Sequence, residues 1–324
     1  MKKIFKSGYA LMVVTIFLSG CAGSKAFSQP NVNSAVTYQS FYDNLSPYGT
    51  WIDYPKYGHV WTPRLEGDFR PYATNGHWAY SGEGWAWASD YDWGWAPFHY
   101  GSWLYDDTYG WLWIPGYDWS PAWVTWGYVD NFYCWAPLMP GIDVSLQFGS
   151  WRPHSFYWNA CSRDHINDRN LSAFIEKPDQ IANISNRITV INNFHTTKTH
   201  NLYYSGGPDV HEVQKYVNQK IEQTSIRDVR NINQVRHTGN VMNVYRPAIQ
   251  DPGGRVQQNP QQILQPGEFR KADVTQSKPI ISEEQRPVIQ RNEQRDNIER
   301  LPVYHSNNAS FRNNGGGGQR RGRN

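Results

Sequence analysis

The sequence predicts a mainly β protein, in which antiparallel hairpin repeats with an aromatic core are followed by a small α+β unit and a disordered tail. Three observations lead to this fold class. Tryptophans recur with a period of two, the tripeptide Trp-x-Pro occurs four times, and after about residue 180 the composition changes from Trp- and Tyr-rich to Asn-, Gln-, Arg- and Pro-rich. A change of that size marks separate physical regimes within one chain.

The first residues have the pattern of a secretory signal. Three lysines precede a short apolar run that ends in Leu18-Ser19-Gly20-Cys21. The run is too short to span a bilayer. Its end resembles the lipobox of bacterial lipoproteins, in which the signal is removed before the cysteine and the cysteine receives acyl chains. We therefore predict a signal peptide at residues 1–20, lipidation at Cys21 and a membrane-tethered protein whose other residues lie in water.

A linker is predicted at residues 21–40, and a Trp- and Tyr-rich β-repeat domain at residues 41–177. Trp-x-Pro occurs four times in this domain, as Trp61-Thr62-Pro63, Trp95-Ala96-Pro97, Trp113-Ile114-Pro115 and Trp135-Ala136-Pro137. Another tryptophan lies upstream of each, in three cases just after a glycine. Each unit has about twenty residues, which is enough for two short strands and a turn.

Alternate tryptophans within these units predict strands. The pairs are Trp85/Trp87, Trp93/Trp95 and Trp111/Trp113. In a strand this spacing puts both rings on one face, so Leu112 is expected on the face opposite to Trp111 and Trp113. Residues 81–84 and 106–110 have the composition of hairpin loops. The proline of each Trp-x-Pro ends a strand or holds it at a sheet edge.

The aromatic residues have two expected roles. Between Tyr48 and Pro137 there are fourteen tryptophans and twelve tyrosines, but only eight Ile, Leu or Val residues. Eight aliphatic side chains are too few to form the core of this region. Most of the tryptophans must therefore form it. One thin sheet cannot cover all these rings, and we expect some to stay exposed as a platform for a sugar or a protein. The candidate platform residues are Trp85, Trp87, Trp93, Trp95, Trp103, Trp119 and Trp123.

Three segments carry a resemblance to known proteins: LSPYGTWIDYPKYGHVWTP, FRPYATNGHWAYSGEGWAWASDYDWGWAPFHYGSWLYDD and YGWLWIPGYDWSPAWVTW. They resemble an uncharacterised family of tryptophan-rich repeat proteins, exported or lipid-anchored in Gram-negative bacteria. The likeness is close over residues 41–137 and looser to Ile249. In that family glycine is usual at the position of Cys134 and arginine often follows the tryptophan at 126, so Cys134 and Gly127 are departures. The resemblance implies an architecture and a cellular address but no activity.

A small α+β unit is predicted at residues 178–246. Residues 188–191, 202–204 and 226–232 are strand-like, and Asp209 with Glu212 resembles a capping box. The apolar residues that follow have helical spacing: Val210, Val213, Val217 and Ile221. Residues 247–324 are predicted to be a disordered tail, because so few apolar residues cannot offset the entropy lost on ordering.

Cysteine and histidine give no definite site. A disulfide between Cys134 and Cys161 and two separately buried thiols are equally compatible with the sequence, because disulfides persist in the envelope but need Cα atoms within about 7 Å. His59, His77 and His99 precede tryptophans at equivalent repeat positions. No His-x-x-x-His motif or carboxylate partner accompanies them, so we predict neither a metal nor a cofactor.

Aspartates at predicted turns are the basis of the enzymatic alternative. They are Asp90, Asp92, Asp106, Asp107 and Asp118. Aspartate is favoured in turns for local hydrogen bonding, and nothing selects two of them as a glycosidase acid/base pair. We therefore expect a non-enzymatic envelope lipoprotein, at the outer membrane facing the periplasm, whose aromatic domain is a structural or binding module. The alternative is an envelope polysaccharide hydrolase that uses turn carboxylates.

The expected partners follow from the predicted location. The lipid anchor would bind the membrane, and the aromatic domain would bind peptidoglycan, polysaccharide or another envelope protein. The tail combines arginine with glycine, as nucleic-acid tails do. An exported protein meets lipid headgroups, lipopolysaccharide and cell wall instead, so we expect no nucleic-acid partner.

Overall fold

The computed structural model describes residues 36–142, 153–250 and 259–265. These residues are mainly β. The strands are β1 Gly49–Tyr54, β2 Gly58–Pro63, β3 Gly76–Ser81, β4 Gly84–Ser89, β5 Tyr100–Asp106, β6 Gly110–Trp119, β7 Val124–Val129, β8 Phe132–Pro137, β9 Asn159–Ser162, β10 Thr189–Val190, β11 Phe194–Thr196, β12 Tyr203–Ser205, β13 Ser225–Asp228, β14 Arg236–Thr238 and β15 Val241–Val244. The α-helices are α1 Tyr38–Leu45, α2 Pro178–Ser185 and α3 Val210–Val213. No helix in the described ranges is long and apolar enough to cross a membrane.

Antiparallel hairpins are the units of the fold, as the sequence predicts. Two four-stranded sheets have the strand orders β1-β2-β6-β5 and β10-β7-β8-β9. The hairpins β3–β4 and β11–β12 stand apart, and β15 pairs antiparallel with β14 and parallel with β13. The strands β3 and β4, and the strands β5 and β6, join at the two predicted loops.

One predicted strand is wrong. Trp93 and Trp95 lie in successive turns between β4 and β5. Gly94 N–H donates to the Tyr91 carbonyl, and Tyr100 N–H donates to the Ala96 carbonyl. These short-range bonds use backbone groups that a strand would offer to a neighbour, and the nearby aspartates, glycine and proline favour turns.

Tryptophan faces tryptophan across the ladder in four of the hairpins. The directly opposite pairs are Trp51/Trp61, Trp78/Trp87, Trp103/Trp113 and Trp126/Trp135. Directly opposite residues share a face of the sheet, so each pair adds two adjacent rings to the core. Leu112, between two tryptophans, packs instead with Ile52 and Val60 in a separate cluster. The expected alternation along β6 is confirmed.

Glycine before a repeat tryptophan is required by close approach. A Cβ atom at Gly49 would lie 2.2 Å from the Thr62 carbonyl oxygen and 2.4 Å from the Trp61 ring. At Gly76 a Cβ would lie 2.7 Å from both the Ala88 carbonyl oxygen and the Trp87 ring. These distances leave no room for a side chain next to the tryptophan of the neighbouring strand. This explains why glycine stands two positions before Trp51 and Trp78.

One aromatic core runs through the described residues. Phe41 of α1 packs edge-on against Trp113, with ring centroids 5.3 Å apart, and Trp78 lies 4.5 Å from Trp126. Residues from the predicted α+β unit join the same cluster, namely Ile181, Ile184, Ile188, Val213 and Val217. That segment therefore shares the aromatic core. Its predicted helix is a single turn, α3, capped by the Asp209 carboxylate through the amides of His211 and Glu212.

Parts of the predicted linker and tail are ordered strand partners. Val36 pairs with Ile249, and Leu264 pairs with Ile52 at the free edge of β1. Leu264 N–H donates to the Trp51 carbonyl at 3.0 Å. The predictions of a linker and of disorder are therefore wrong for residues 36–40, 247–250 and 259–265, because edge hydrogen bonds and the burial of Ile249 stabilise them. The predicted signal peptide and the rest of the tail lie outside the described residues.

We expect Trp113→Ala to lower the free energy of unfolding by about 3 to 5 kcal/mol, because the change removes a fully buried indole. The indole N–H also donates to the Tyr100 carbonyl at 2.6 Å. Thermal unfolding followed by circular dichroism measures the loss. Trp119→Ala, in the same strand but half-buried, is the matched control and should lose less. Equal losses in the two variants would contradict a core role for Trp113.

Candidate functional site

The structure buries the tryptophans that were expected to form an exposed platform. Six of the seven are at most 8% exposed: Trp85, Trp87, Trp93, Trp95, Trp103 and Trp123. Trp119 is half-buried, with the guanidinium of Arg246 at 4.7 Å from its ring centroid. The platform prediction is therefore wrong. It assumed one thin sheet, whereas two sheets, α1 and the segment after residue 177 all pack on the aromatic rings.

Some of the buried indole N–H groups have hydrogen-bond partners in the backbone. Six of them donate to backbone carbonyls: Trp61 to Leu45, Trp85 to Pro208, Trp103 to Pro97, Trp113 to Tyr100, Trp123 to His99 and Trp135 to Tyr72. Most of these carbonyls belong to turns and loops, which need donors when buried. The tryptophans therefore fix the loops as well as fill the core.

Cys134 and Cys161 are free, buried thiols. Cys134 lies opposite Ala160, and Cys161 lies opposite Tyr133. Neighbouring residues of a strand point to opposite faces, so the two thiols lie on opposite sides of the sheet and are not bridged. Burial raises the pKa of Cys134 to about 12 and that of Cys161 well above its usual value. Neither thiol is a nucleophile at neutral pH.

Gly127 and Cys134 differ from the usual residues of the family that the sequence resembles, and they are cross-strand partners. Gly127 of β7 lies directly opposite Cys134 of β8. A Cβ at Gly127 would lie 2.4 Å from Ile188 Cγ2 and 2.9 Å from the Thr189 carbonyl oxygen. Glycine at 127 thus leaves room for β10 to pair with β7. The larger residue of the pair, Cys134, is on β8. This is a packing role.

The predicted turn aspartates occupy three separate places. Asp90 and Asp92 are exposed beyond β4. Asp106 accepts hydrogen bonds from the amides of Thr108 and Tyr109 in the β5–β6 turn, next to exposed Asp107. Asp118 is buried at the end of β6 and bonded to Thr197 and His200, which is a structural arrangement. The structure does not single out a catalytic pair among them.

The three repeat histidines lie on different segments. His59 of β2 packs against Tyr42, and buried His99 is hydrogen-bonded through Nδ1 to the Ser120 carbonyl. His77 of β3 lines a cleft described below. Across the described residues, no three His, Cys, Asp or Glu side chains are placed to hold a metal ion. Cys21 lies outside these residues.

A polar cleft of about 550 Å³ lies beside β3. Four separate segments line it: residues 77–80, 164–169, 217–224 and 237–240. Its polar side chains are His77, Asp164, His165, Asn167, Asp168, Arg169, Asn218, Gln219, Lys220, Glu222, Thr224, His237 and Asn240. We take this cleft as the candidate functional site, because it is a concave surface where several polar groups converge.

Two neutral histidines form one wall of the cleft. His77 Nε2 lies 3.0 Å from His237 Nδ1, and the ring planes differ by 25°. Burial, the facing imidazole and Arg169 lower the pKa of His77 to about 4. Burial also lowers the pKa of His237. At neutral pH one uncharged imidazole therefore donates a hydrogen bond to the other.

His165 is held between two carboxylates. Its Nδ1 lies 2.6 Å from Asp168 Oδ2 and its Nε2 lies 3.6 Å from Asp164 Oδ2. Its ring stacks on Phe174 with centroids 3.7 Å apart. A hydrogen bond from the Ser162 hydroxyl lowers the pKa of Asp164, so this carboxyl group is ionised at neutral pH. These contacts fix the orientation of the imidazole.

The lining favours a ligand that is polar but nearly uncharged. Three carboxylates face two basic side chains, and the two paired histidines are neutral. Four carboxamides supply both donors and acceptors: Asn167, Asn218, Gln219 and Asn240. Hydroxyl and amide groups of a ligand would find partners of both kinds here. A strongly charged ligand would meet groups of its own sign.

The comparisons with known proteins concern the repeat. Residues 42–142 match the model of a family of unknown function, DUF6600. The matched range contains the second half of α1 and the strands β1 to β8. No curated protein and no solved structure matches the chain. Within the cleft only the β3 wall lies in the DUF6600 range, and the other three lining segments follow it in the chain.

Sequence reasoning missed most of this site. It noticed His77, but His237 is 160 positions away and joins it only in the folded chain. It treated residues 164–169 as the end of the aromatic domain. The available signal was the density of polar residues in Ser162–Asn170, a stretch with a single large apolar residue, Ile166.

We expect acid to destabilise the protein partly through His77. Between pH 6.5 and about pH 4 the unfolded chain binds a proton at this histidine and the folded chain does not, so folding stability falls as the pH falls through this window. The melting temperature of wild type and His77→Gln, measured at intervals from pH 7 to pH 4, tests this. The variant should lose less stability over the window, and parallel curves would contradict the assignment.

Proposed function

We propose that this chain is a lipid-anchored, non-enzymatic protein of the cell envelope that binds a glycan of the cell wall or of another envelope polysaccharide in the polar cleft. The observation that carries the proposal is the lining of the cleft, in which carboxamides and paired charges of both signs surround about 550 Å³. Sugars present hydroxyl and N-acetyl groups that need donors and acceptors at once. Amide side chains meet both needs.

A rigid support favours this role. The cleft is built from four segments that are distant in sequence, and a binding site keeps its geometry only if such segments are fixed. Trp78 and Val217 line the cleft and also belong to the aromatic core. The tryptophan core thus serves recognition indirectly, because it holds the polar walls in place.

The hydrolase alternative has less support. Asp164 and Asp168 both line the cleft beside His165, so a carboxylate pair is present. A glycosidase acid must hold its proton near neutral pH, which requires a raised pKa. The pKa of Asp164 is lowered by the Ser162 hydroxyl. The aspartates first considered for this chemistry lie elsewhere or bond within their own turns.

The lipid anchor is the part of the proposal that rests on the sequence around Cys21. Cys21→Ser should leave an uncleaved or soluble protein, because acyl chains can be attached only to the cysteine. Fractionation of cells into soluble, inner-membrane and outer-membrane material, with mass spectrometry of the N-terminal peptide, measures the effect. Cys134→Ala is the matched control and should stay in the outer membrane. Membrane fractionation that does not change in Cys21→Ser would refute the anchor.

Glycan binding is tested with isolated peptidoglycan sacculi. The double variant Asn218→Ala with Asn240→Ala removes two exposed lining amides and should weaken retention about tenfold, because each lost hydrogen bond is worth about 0.5 to 1.5 kcal/mol. Asn44→Ala, at an exposed position of α1, is the matched control and should bind as wild type does. Equal retention of the double variant would contradict a role for the cleft.

Competition identifies the bound part of the polymer. Soluble disaccharides released from sacculi should displace the protein, and free stem peptides should not. Displacement by stem peptides alone would contradict the glycan proposal. Glycan recovered after long incubation should be intact, and newly formed reducing ends that disappear in Asp168→Asn would instead support the hydrolase.

A further inference from the structure

Three tyrosines surround the buried side chain of Arg163, and we call them the tyrosine cluster: Tyr128 of β7, Tyr133 of β8 and Tyr216 after α3. The Arg163 guanidinium carbon lies 5.2, 5.0 and 4.7 Å from the three ring centroids, in that order. Such distances are typical of cation–π contacts, which orient the rings around the planar cation. The tyrosine cluster is therefore a preorganised aromatic surface.

Glu212 neutralises the cation within the cluster. Arg163 Nη1 donates to Glu212 Oε1 at 2.8 Å and to the Tyr216 hydroxyl at 2.8 Å. The Tyr133 hydroxyl donates to the second oxygen of the same carboxylate. Burial of Tyr133, together with this bond, raises its pKa, so the hydroxyl remains a donor at all physiological pH values. The cluster has no net charge and offers polar groups at the edges of its rings.

Two of these rings are open to solvent, in contrast to the buried tryptophans. Tyr128 is 40% exposed and Tyr216 is 38% exposed. Tyrosine has few rotatable bonds, and these two rings are held on one side by the Arg163 guanidinium. Little conformational entropy would be lost when a ligand covers them. Their exposed parts suit the apolar C–H face of a sugar ring, and the nearby hydroxyl and carboxylate groups suit its polar rim.

The tyrosine cluster borders the polar cleft along two stretches of chain. Asp164 follows Arg163 and lines the cleft, and Val217 follows Tyr216 and also lines it. Consecutive Cα atoms are about 3.8 Å apart, so the cluster and the cleft wall share the same backbone at both places. The cluster therefore begins one residue away from the cleft lining at Asp164 and at Val217.

We propose that Tyr128 and Tyr216 form an aromatic subsite that extends the polar cleft, and that the ligand is an oligosaccharide with several sugar units. This inference rests on the proposed glycan binding and adds the length and polymeric nature of the ligand. The cleft binds hydroxyl and amide groups of some units, and the two exposed tyrosines stack on a further unit. The affinity therefore increases with the number of units.

The test compares oligomers of N-acetylglucosamine, which carry both the hydroxyl and the amide groups that the cleft favours. Isothermal titration of the full-length protein with the dimer and the hexamer should give a hexamer affinity about 3- to 10-fold higher, because one aromatic contact is worth about 0.5 to 1.5 kcal/mol. Tyr128→Ala and Tyr216→Ala should remove this gain and keep the dimer affinity. Tyr203→Ala, 45% exposed on β12, is the matched control and should keep the gain.

Each other outcome is decisive. If the alanine variants keep the hexamer gain, the aromatic subsite is refuted and cleft binding stands. If wild type binds neither oligomer nor sacculi, the proposed function fails and the subsite with it. Tyr216→Phe keeps the ring without the hydroxyl and should retain the gain. Loss of the gain in this variant, at unchanged melting temperature, would refute stacking as the source of affinity.

Discussion

Cross-strand contact between tryptophans is the interaction on which the rest of the structure depends. Four hairpins each place two indoles directly opposite one another on the core side. A tryptophan buries on the order of 200 Å². These eight side chains therefore supply much of the buried apolar surface that the few aliphatic residues of the repeat do not. The indole N–H groups of some of them also reach loop carbonyls, as in Trp135 with Tyr72, so the same residues fix segments that lie far away in the chain.

Because the tryptophans are buried, the proposed ligand-binding site lies away from their rings. An exposed indole platform would have bound a ligand through the repeat itself. The structure instead leaves solvent access to Tyr128 within the repeat, and to Tyr216 and the cleft carboxamides on segments that follow the repeat in the chain. The hairpins of the repeat therefore support the cleft, and most of its lining belongs to the segments packed on them. This division agrees with the range of the DUF6600 match, which covers the supporting hairpins and only one wall of the cleft.

The candidate site was only partly predictable, because its members are brought together from distant positions. His77 was noticed through its place in the repeat, whereas its partner His237 lies in a three-residue strand with no distinctive pattern. The tyrosine cluster combines β7, β8, a short 3-10 helix and the turn after α3. No local pattern links these elements. The cysteines show the same limit, since their opposite orientation follows from the β8–β9 register.

The sequence by itself determined the hairpins, their turns and the alternation of Trp111, Leu112 and Trp113, because strand period and turn chemistry are local properties of a few consecutive residues. It also determined that tryptophan must form most of the core, since the region between Tyr48 and Pro137 has only eight Ile, Leu or Val residues. Only the tertiary structure decided which rings were covered. Burial depends on what packs above a sheet, and here Phe41 of α1 and Ile184 pack on the aromatic core from outside the Trp-x-Pro hairpins.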